Sequence, residues 1–124
     1  MAGEKTHRSS DVRAHLNAEI IRHVPDGIWV TDSDHRIVLF NPAMERISGA
    51  SASDMIGLNV RTDFPSETTK EFLAYYEEAL ESLSTVSYEA SVVTPAGRAT
   101  TQAGWLTPFL EDGRFVGKIG RAHV

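Results

Sequence analysis

Five histidines, a few carboxylates and one loop arginine are the side chains of this chain that could do chemistry, and their spacing limits what that chemistry can be. His7 lies in a polar start, His15 and His23 fall on a first helix, His35 sits in a turn and His123 comes at the end. They are read as making no metal-ligand spacing with one another or with a carboxylate on one face. They read as surface or capping side chains. Asp32 and Asp34 could pair as acid and base, but they flank a turn in which Asp commonly bonds its own backbone. A second acid–base arrangement, that of a small cone-shaped isomerase or hydrolase, would use Asp63 with Tyr75 or Tyr76; it needs a carboxylate inside a pocket, and Asp63 reads as exposed. Arg61, in the same loop, could take a ligand carboxylate through a forked hydrogen bond. Its plainer role is a surface pair with Asp63, which is worth little. The chain has no cysteine, which removes disulfides, thiolate nucleophiles and Cys-based zinc or haem attachment, and fits a reducing, cytoplasmic setting. No enzyme is read from these residues.

At 124 residues there is room for one domain with one core. Twelve basic against 17 acidic residues leave a net charge of −5. No Lys/Arg cluster supplies the footprint that a phosphate backbone needs, so nucleic acid is not expected as a partner. No apolar run approaches the roughly 20 residues of a membrane span, and no signal-peptide core follows Met1.

The elements that must position these groups follow from periodicity and punctuation. Residues 1–9 are polar and aperiodic, and read as a disordered leader. Residues 10–24 form a flanking helix with Val12, Leu16, Ile20 and Val24 along one face, ended by Pro25. Residues 25–124 form the domain. Ile28 and Val30 alternate with Trp29 and Thr31 as a half-buried strand, and Asp32-Ser33-Asp34-His35 turns the chain into a second strand ending at Phe40. Trp29, pointing away from Ile28 and Val30, is expected beneath the flanking helix. Asn41 is suited to cap a helix that begins at Pro42 and stops at Gly49, and Ser51 caps one further turn ended by Gly57. The longest helix runs from about Glu67 to Leu83, with Phe72, Tyr76, Ala79, Leu80 and Leu83 on one side; its opposite, glutamate-rich side is a solvated face. Three strands follow, turning at Pro95-Ala96-Gly97 and Glu111-Asp112-Gly113-Arg114. Their shared faces are read as Val86, Tyr88, Ala90 and Val92; Ala99, Thr101, Ala103 and Trp105; and Phe115, Gly117 and Ile119. The fold class is α+β, a five-stranded antiparallel sheet with helices on one face and an N-terminal flanking helix.

From about Asp11 to Val124 the sequence resembles the PAS domain family. The resemblance rests on Pro25-Asp26-Gly27-Ile28 with Asp32, on Ile37 followed by Asn41-Pro42-Ala43, on Ser48-Gly49, on Met55-Ile56-Gly57, and on Pro108 through Gly117. His35 stands where the family usually has a turn glycine, and His123 where its closing motif has Asp. The resemblance implies a sensory or dimerising module of a signalling protein, such as a two-component system, regulating a downstream histidine kinase or diguanylate cyclase beyond Val124. Relatives that form a flavin adduct or carry a thioester-linked chromophore use cysteine, and haem-binding relatives often draw an axial His from the long helix. This chain has neither residue there, so haem is not expected and the cofactor stays open.

Small residues at Ala90, Ala99, Ala103 and Gly117, read as inward, leave a void or allow close helix packing. Phe40, Tyr76, Tyr88 and Trp105 are the expected lining of such a void, with Arg61 beside it as the anchor for a small-molecule ligand. The alternative for the aromatics is plain core packing. The stripe Val12, Leu16, Ile20 and Val24 either covers the sheet or meets its counterpart in a second copy, which implies a homodimer. A ligand-free dimerisation or protein-interaction module is the alternative function, and the cone-fold isomerase a third.

Overall fold

The computed structural model describes residues 2–64, 66–94 and 97–123. Helix α1 spans Ala2–His23, followed by β1 (Gly27–Asp32), β2 (Ile37–Phe40), α2 (Pro42–Ser48), α3 (Ala52–Met55), α4 (Ser66–Ser82), β3 (Val86–Val93), β4 (Ala99–Glu111) and β5 (Arg114–His123). The strands form one antiparallel sheet in the order β2-β1-β5-β4-β3. The α+β architecture expected from the sequence is the one found. Because the first and last strands are neighbours, Gly27 pairs with Ala122. The Arg121 guanidinium also reaches the Asp26 carboxylate. The end of α1 and the end of β5 therefore lie side by side.

Residues 2–9, read as a disordered leader, are helical and continuous with the flanking helix. Once the downstream turns exist, each further residue is added for one hydrogen bond without a new nucleus, and no proline interrupts the segment.

The β1–β2 turn is held by Asp32, whose Oδ1 accepts from the amides of Asp34 and Arg36. His35 takes the left-handed conformation there, with φ 65°, a region that His enters more readily than most residues. Asn41 caps α2 as its position before Pro42 implies, accepting from the Met44 amide at 2.9 Å. Its Oδ1 also accepts from the Ile28 amide at 2.8 Å, and its Nδ2 donates to the carbonyls of Ile21 and Asp26 at 2.9 and 3.0 Å. One buried amide thus joins the last turn of α1, the entry to β1 and the first turn of α2. Gly49 closes α2 with φ 73°.

Registers fix which residues face the helices. Trp29 pairs with Gly120 and Phe40, and Thr31 with Lys118; all of these but Gly120 present a buried side chain to the interior. Trp29 accordingly sits in the core against Phe72 of α4, ring centroids 5.7 Å apart, and not under α1. The reading that Trp29 and Ile28 point opposite ways holds, but the inner and outer faces are exchanged. The same exchange occurs on β4. Tyr88, Ala90 and Val86 pair with Gly104, Gln102 and Leu106, so even-numbered residues of β4 face inward. Ala99, Ala103 and Trp105 line the outer face, and Trp105 is 41% exposed. Gly117 opposes Phe109 and Asp32 on that outer face as well. A shift of one residue moves a whole strand's pattern to the other face.

The Trp29 indole crosses directly over Gly120, where a Cβ would come within 2.0–2.3 Å of three indole atoms. Alanine at this position has to lift the largest side chain out of the core. Gly120→Ala is expected to cost about 3 kcal/mol in urea denaturation, at the upper end for overpacking, with Trp29 fluorescence shifting to the red. A change under about 0.5 kcal/mol would show that Trp29 does not depend on this contact.

Candidate functional site

Between the inner face of the sheet and the helices lies a cavity of about 50 Å³. Trp29 of β1 forms part of it, with Ile37 and Phe40 of β2. Met44 and Ser48 come from α2, Met55 from α3, Val60 and Phe64 from the loop that follows, and Phe72 from α4. Val92 near the end of β3, Thr94 just beyond it and Gln102 of β4 complete the lining. Among the described residues the lining is apolar except at Ser48, Thr94 and Gln102. The end of α2 meets the β3–β4 turn, where the Arg98 side chain lies over Gly49 and the Arg98 amide bonds Thr94, which brings Ser48 and Thr94 to one side of the cavity; Gln102 lines the same cavity from β4. Ser48 Oγ donates to the Met44 carbonyl and accepts from the Ala50 amide. Thr94 Oγ1 accepts from the Arg98 amide, and Gln102 Nε2 donates to Thr100 Oγ1.

Of the five residues expected to line a pocket, Phe40 does so. Tyr76 and Tyr88 are buried in the core without being part of the cavity wall. Trp105 lies on the opposite face of the sheet, with the Arg121 guanidinium 5.6 Å from its ring centre. Arg61 is turned onto α4, where Nε and Nη2 each bond Glu77 at 2.7 Å. It is therefore a surface partner of Glu77, not an anchor beside the cavity. The competing pair with Asp63 does not form either, since Asp63 accepts from the Asn59 amide and from Thr62. Asp63, Tyr75 and Tyr76 do not converge on a pocket. Asp32 and Asp34 serve their turn, as described above. Contrary to the sequence reading, His23 does meet a carboxylate on its own helix face, its Nε2 lying 3.4 Å from Glu19 Oε2, but among the described residues no group of three or more His, Asp or Glu could hold a metal ion.

A separate polar cluster occupies the other end of the interior. The Tyr76 hydroxyl meets Thr31 Oγ1 at 3.1 Å and His35 Nδ1 at 2.8 Å, and Phe115 stacks on the His35 ring. Burial, then the Arg61 charge, lowers the His35 pKa below 6.5, so the ring is neutral near pH 7. Lys118, fully buried, donates from Nζ to the Tyr76 carbonyl at 2.6 Å and lies 3.4 Å from the centre of the Tyr76 ring. Burial pulls its pKa down to about 8, against partial support from Glu77. Burial also pushes Tyr76 and Tyr88 up to about 12. The Tyr88 hydroxyl is buried without a bonding partner among the described residues. The neighbouring Trp29 side chain holds the rise in its pKa back in part.

Most of the cavity wall was missed because Met44, Met55, Val60 and Val92 read as ordinary core. The signal available for Trp29 was the glycine pair at Gly117 and Gly120, three residues apart and so on opposite faces, of which Gly120 is the one that lies under the indole.

Residues 16–122 match the family model of the PAS fold, and the chain belongs to that family. Comparison of the sequence with curated proteins finds no match. Among solved structures, the PAS domain of a protein from Colwellia psychrerythraea superposes with a TM-score of 0.74 at 22% identity, covering 89% of this chain and 94% of that one. A PAS domain from a two-component sensor histidine kinase gives 0.71 at 16%, covering 92% and 97%. An RNA-binding light-oxygen-voltage receptor gives 0.74 at 22%, covering 89% of this chain but 32% of the receptor. At these identities the likeness is one of fold.

The buried charge sets the alkaline stability profile. The unfolded chain keeps the Lys118 proton to about pH 10.5 and the folded chain releases it near 8, so stability rises with pH across that window. The two tyrosines act in the opposite sense above pH 10, where the unfolded chain loses protons that the folded chain retains. Urea unfolding is expected to show maximal stability near pH 10. Lys118→Met should abolish the rise from pH 8 to 10, keep the fall above 10, and gain on the order of 2 kcal/mol at pH 7. A loss of stability in the variant at pH 7 would show that the contacts with Tyr76 outweigh desolvation.

Proposed function

We propose that this chain is a sensory PAS module of a signal-transduction protein, in which a small molecule in the cavity, self-association through α1, or both, regulate an effector such as a histidine kinase or diguanylate cyclase. The observation that carries this reading is the arrangement around Asn41. Helix α2 contributes Met44 and Ser48 to the cavity wall. Its first turn is held by the same side chain that holds the Ile21 carbonyl of α1. An occupant that displaces α2 therefore bears on the end of α1, and two states of that joint with different affinity for the occupant would make a switch. The neighbour from a sensor histidine kinase supports the signalling role. The absence of cysteine argues against adduct photochemistry of the kind found in PAS relatives that use that residue. No described helix is long and apolar enough to cross a membrane.

A ligand-free dimerisation module is the second reading, favoured by the helix surface. Val12, Leu16 and Ile20 are 62, 53 and 54% exposed along one stripe of α1, while Val24 is half-buried. Such a stripe gains by meeting its own copy across a two-fold axis.

Native mass spectrometry of the protein purified from its own host reads both properties at once. A dimer carrying a stoichiometric small molecule is expected, with Leu16→Asp returning monomer. Repeated recovery of an empty protein would remove the sensing reading, and a Leu16→Asp dimer would remove the α1 seam.

A further inference from the structure

We infer that the ligand of the cavity is an electrically neutral, mostly apolar molecule of a few heavy atoms carrying one amide, carbonyl or hydroxyl group. The inference rests on the sensing role proposed above and gives it a chemical class. It is carried by what the wall contains. Among the described residues lining the cavity there is no Asp, Glu, Lys, Arg or His. The one arginine expected to greet a carboxylate, Arg61, is held by both oxygens of Glu77, and the buried cation Lys118 is committed to Tyr76. A charged ligand would give up its hydration for a wall that returns no counter-charge, a cost of several kcal/mol.

The polar corner defines where the ligand's single polar group goes. Ser48, Thr94 and Gln102 are neutral, and each combines donor and acceptor atoms. Gln102 directs its Nε2 to Thr100, and among the described residues no donor bonds its Oε1. An amide or hydroxyl hydrogen of the ligand can be met there, and its oxygen by a hydroxyl of the same corner. Aromatic and methionine side chains take the apolar remainder.

Size follows from volume. A water's share of the liquid is about 30 Å³, and an apolar cavity of about 150 Å³ holds benzene. The present 50 Å³ admits a short fragment at once. Met44 and Met55, unbranched and free to change rotamer, are the walls that yield to a longer one. A flavin or haem would need most of the aromatic core to leave.

Butyramide and butyrate test the class, because they share shape and heavy-atom count and differ in charge. In a Trp105→Phe background Trp29 is the remaining tryptophan of the two, and it lies in the cavity wall, so its fluorescence reports occupancy; amide shifts of Ser48, Thr94 and Gln102 locate it. Saturable binding of butyramide, with butyrate weaker by at least about 100-fold, is expected at pH 7. Gln102→Leu should weaken butyramide about 10-fold while leaving xenon binding, read by ¹²⁹Xe shifts, unchanged. Equal or tighter binding of butyrate would overturn the neutral class and leave the sensing role standing. Failure of butyramide, butyrate and xenon alike would overturn both, since the cavity would then be closed.

Discussion

The side-chain amide of Asn41 is the interaction on which the other elements of this fold depend. Both of its ends are used twice, the oxygen by the amides of Ile28 and Met44 and the nitrogen by the carbonyls of Ile21 and Asp26. Each of those groups lies at the end of an element, where backbone polar groups lack partners of their own. A buried network of this kind is costly to leave half made. It therefore fixes the angle at which α1 enters, the start of β1 and the start of α2 together.

The rest of the interior is divided by its polarity. One end, around Trp29 and Phe72, is apolar and keeps a small cavity; the other holds Thr31, His35, Tyr76 and Lys118 in contact. The two ends share α4, where Phe72 and Tyr76 stand one turn apart with ring centroids separated by 6.1 Å. A lysine at the polar end is not the cheapest way to fill space. Its depressed pKa means that the Tyr76 ring and carbonyl recover only part of the hydration lost on burial. The carbonyl it bonds belongs to the middle of α4, so the contact pins that helix to β5 at one point.

The sequence carried the local features with physical punctuation and lost those decided by register. Asn41 before Pro42, Gly49 after Ser48, and the Asp112-Gly113 turn, both residues at positive φ, depend on backbone chemistry that the residue types display directly. The order of elements and the antiparallel sheet followed from them. What sequence could not show was which face of β4 turns inward. Its outer face, with Ala103, Trp105 and Phe109, is as apolar as the inner one with Gln102, Gly104 and Leu106, so alternation pointed the wrong way and drew Trp105 into the expected pocket. Arg61 was misplaced for a different reason: Glu77 lies sixteen residues ahead of it in sequence, and the loop's path onto α4 is set by packing. The helical state of residues 2–9 was likewise hidden, because those residues have no apolar period to announce it.

What makes the domain more than a small packed core is the mechanical link between the cavity wall and α1. The outward stripe on α1 and the ends of the two central strands lie where that link terminates, with Asp26 and Arg121 tying entry to exit. The most direct measurement of the link is native-state amide hydrogen exchange on Asn41→Ala. If Asn41 is the joint, protection falls together at Ile28, at Met44 and through the last turn of α1, while the β3–β4 ladder keeps its own. Unchanged exchange at α1 alongside a loss confined to Met44 would contradict the coupling and leave Asn41 as the cap of one short helix.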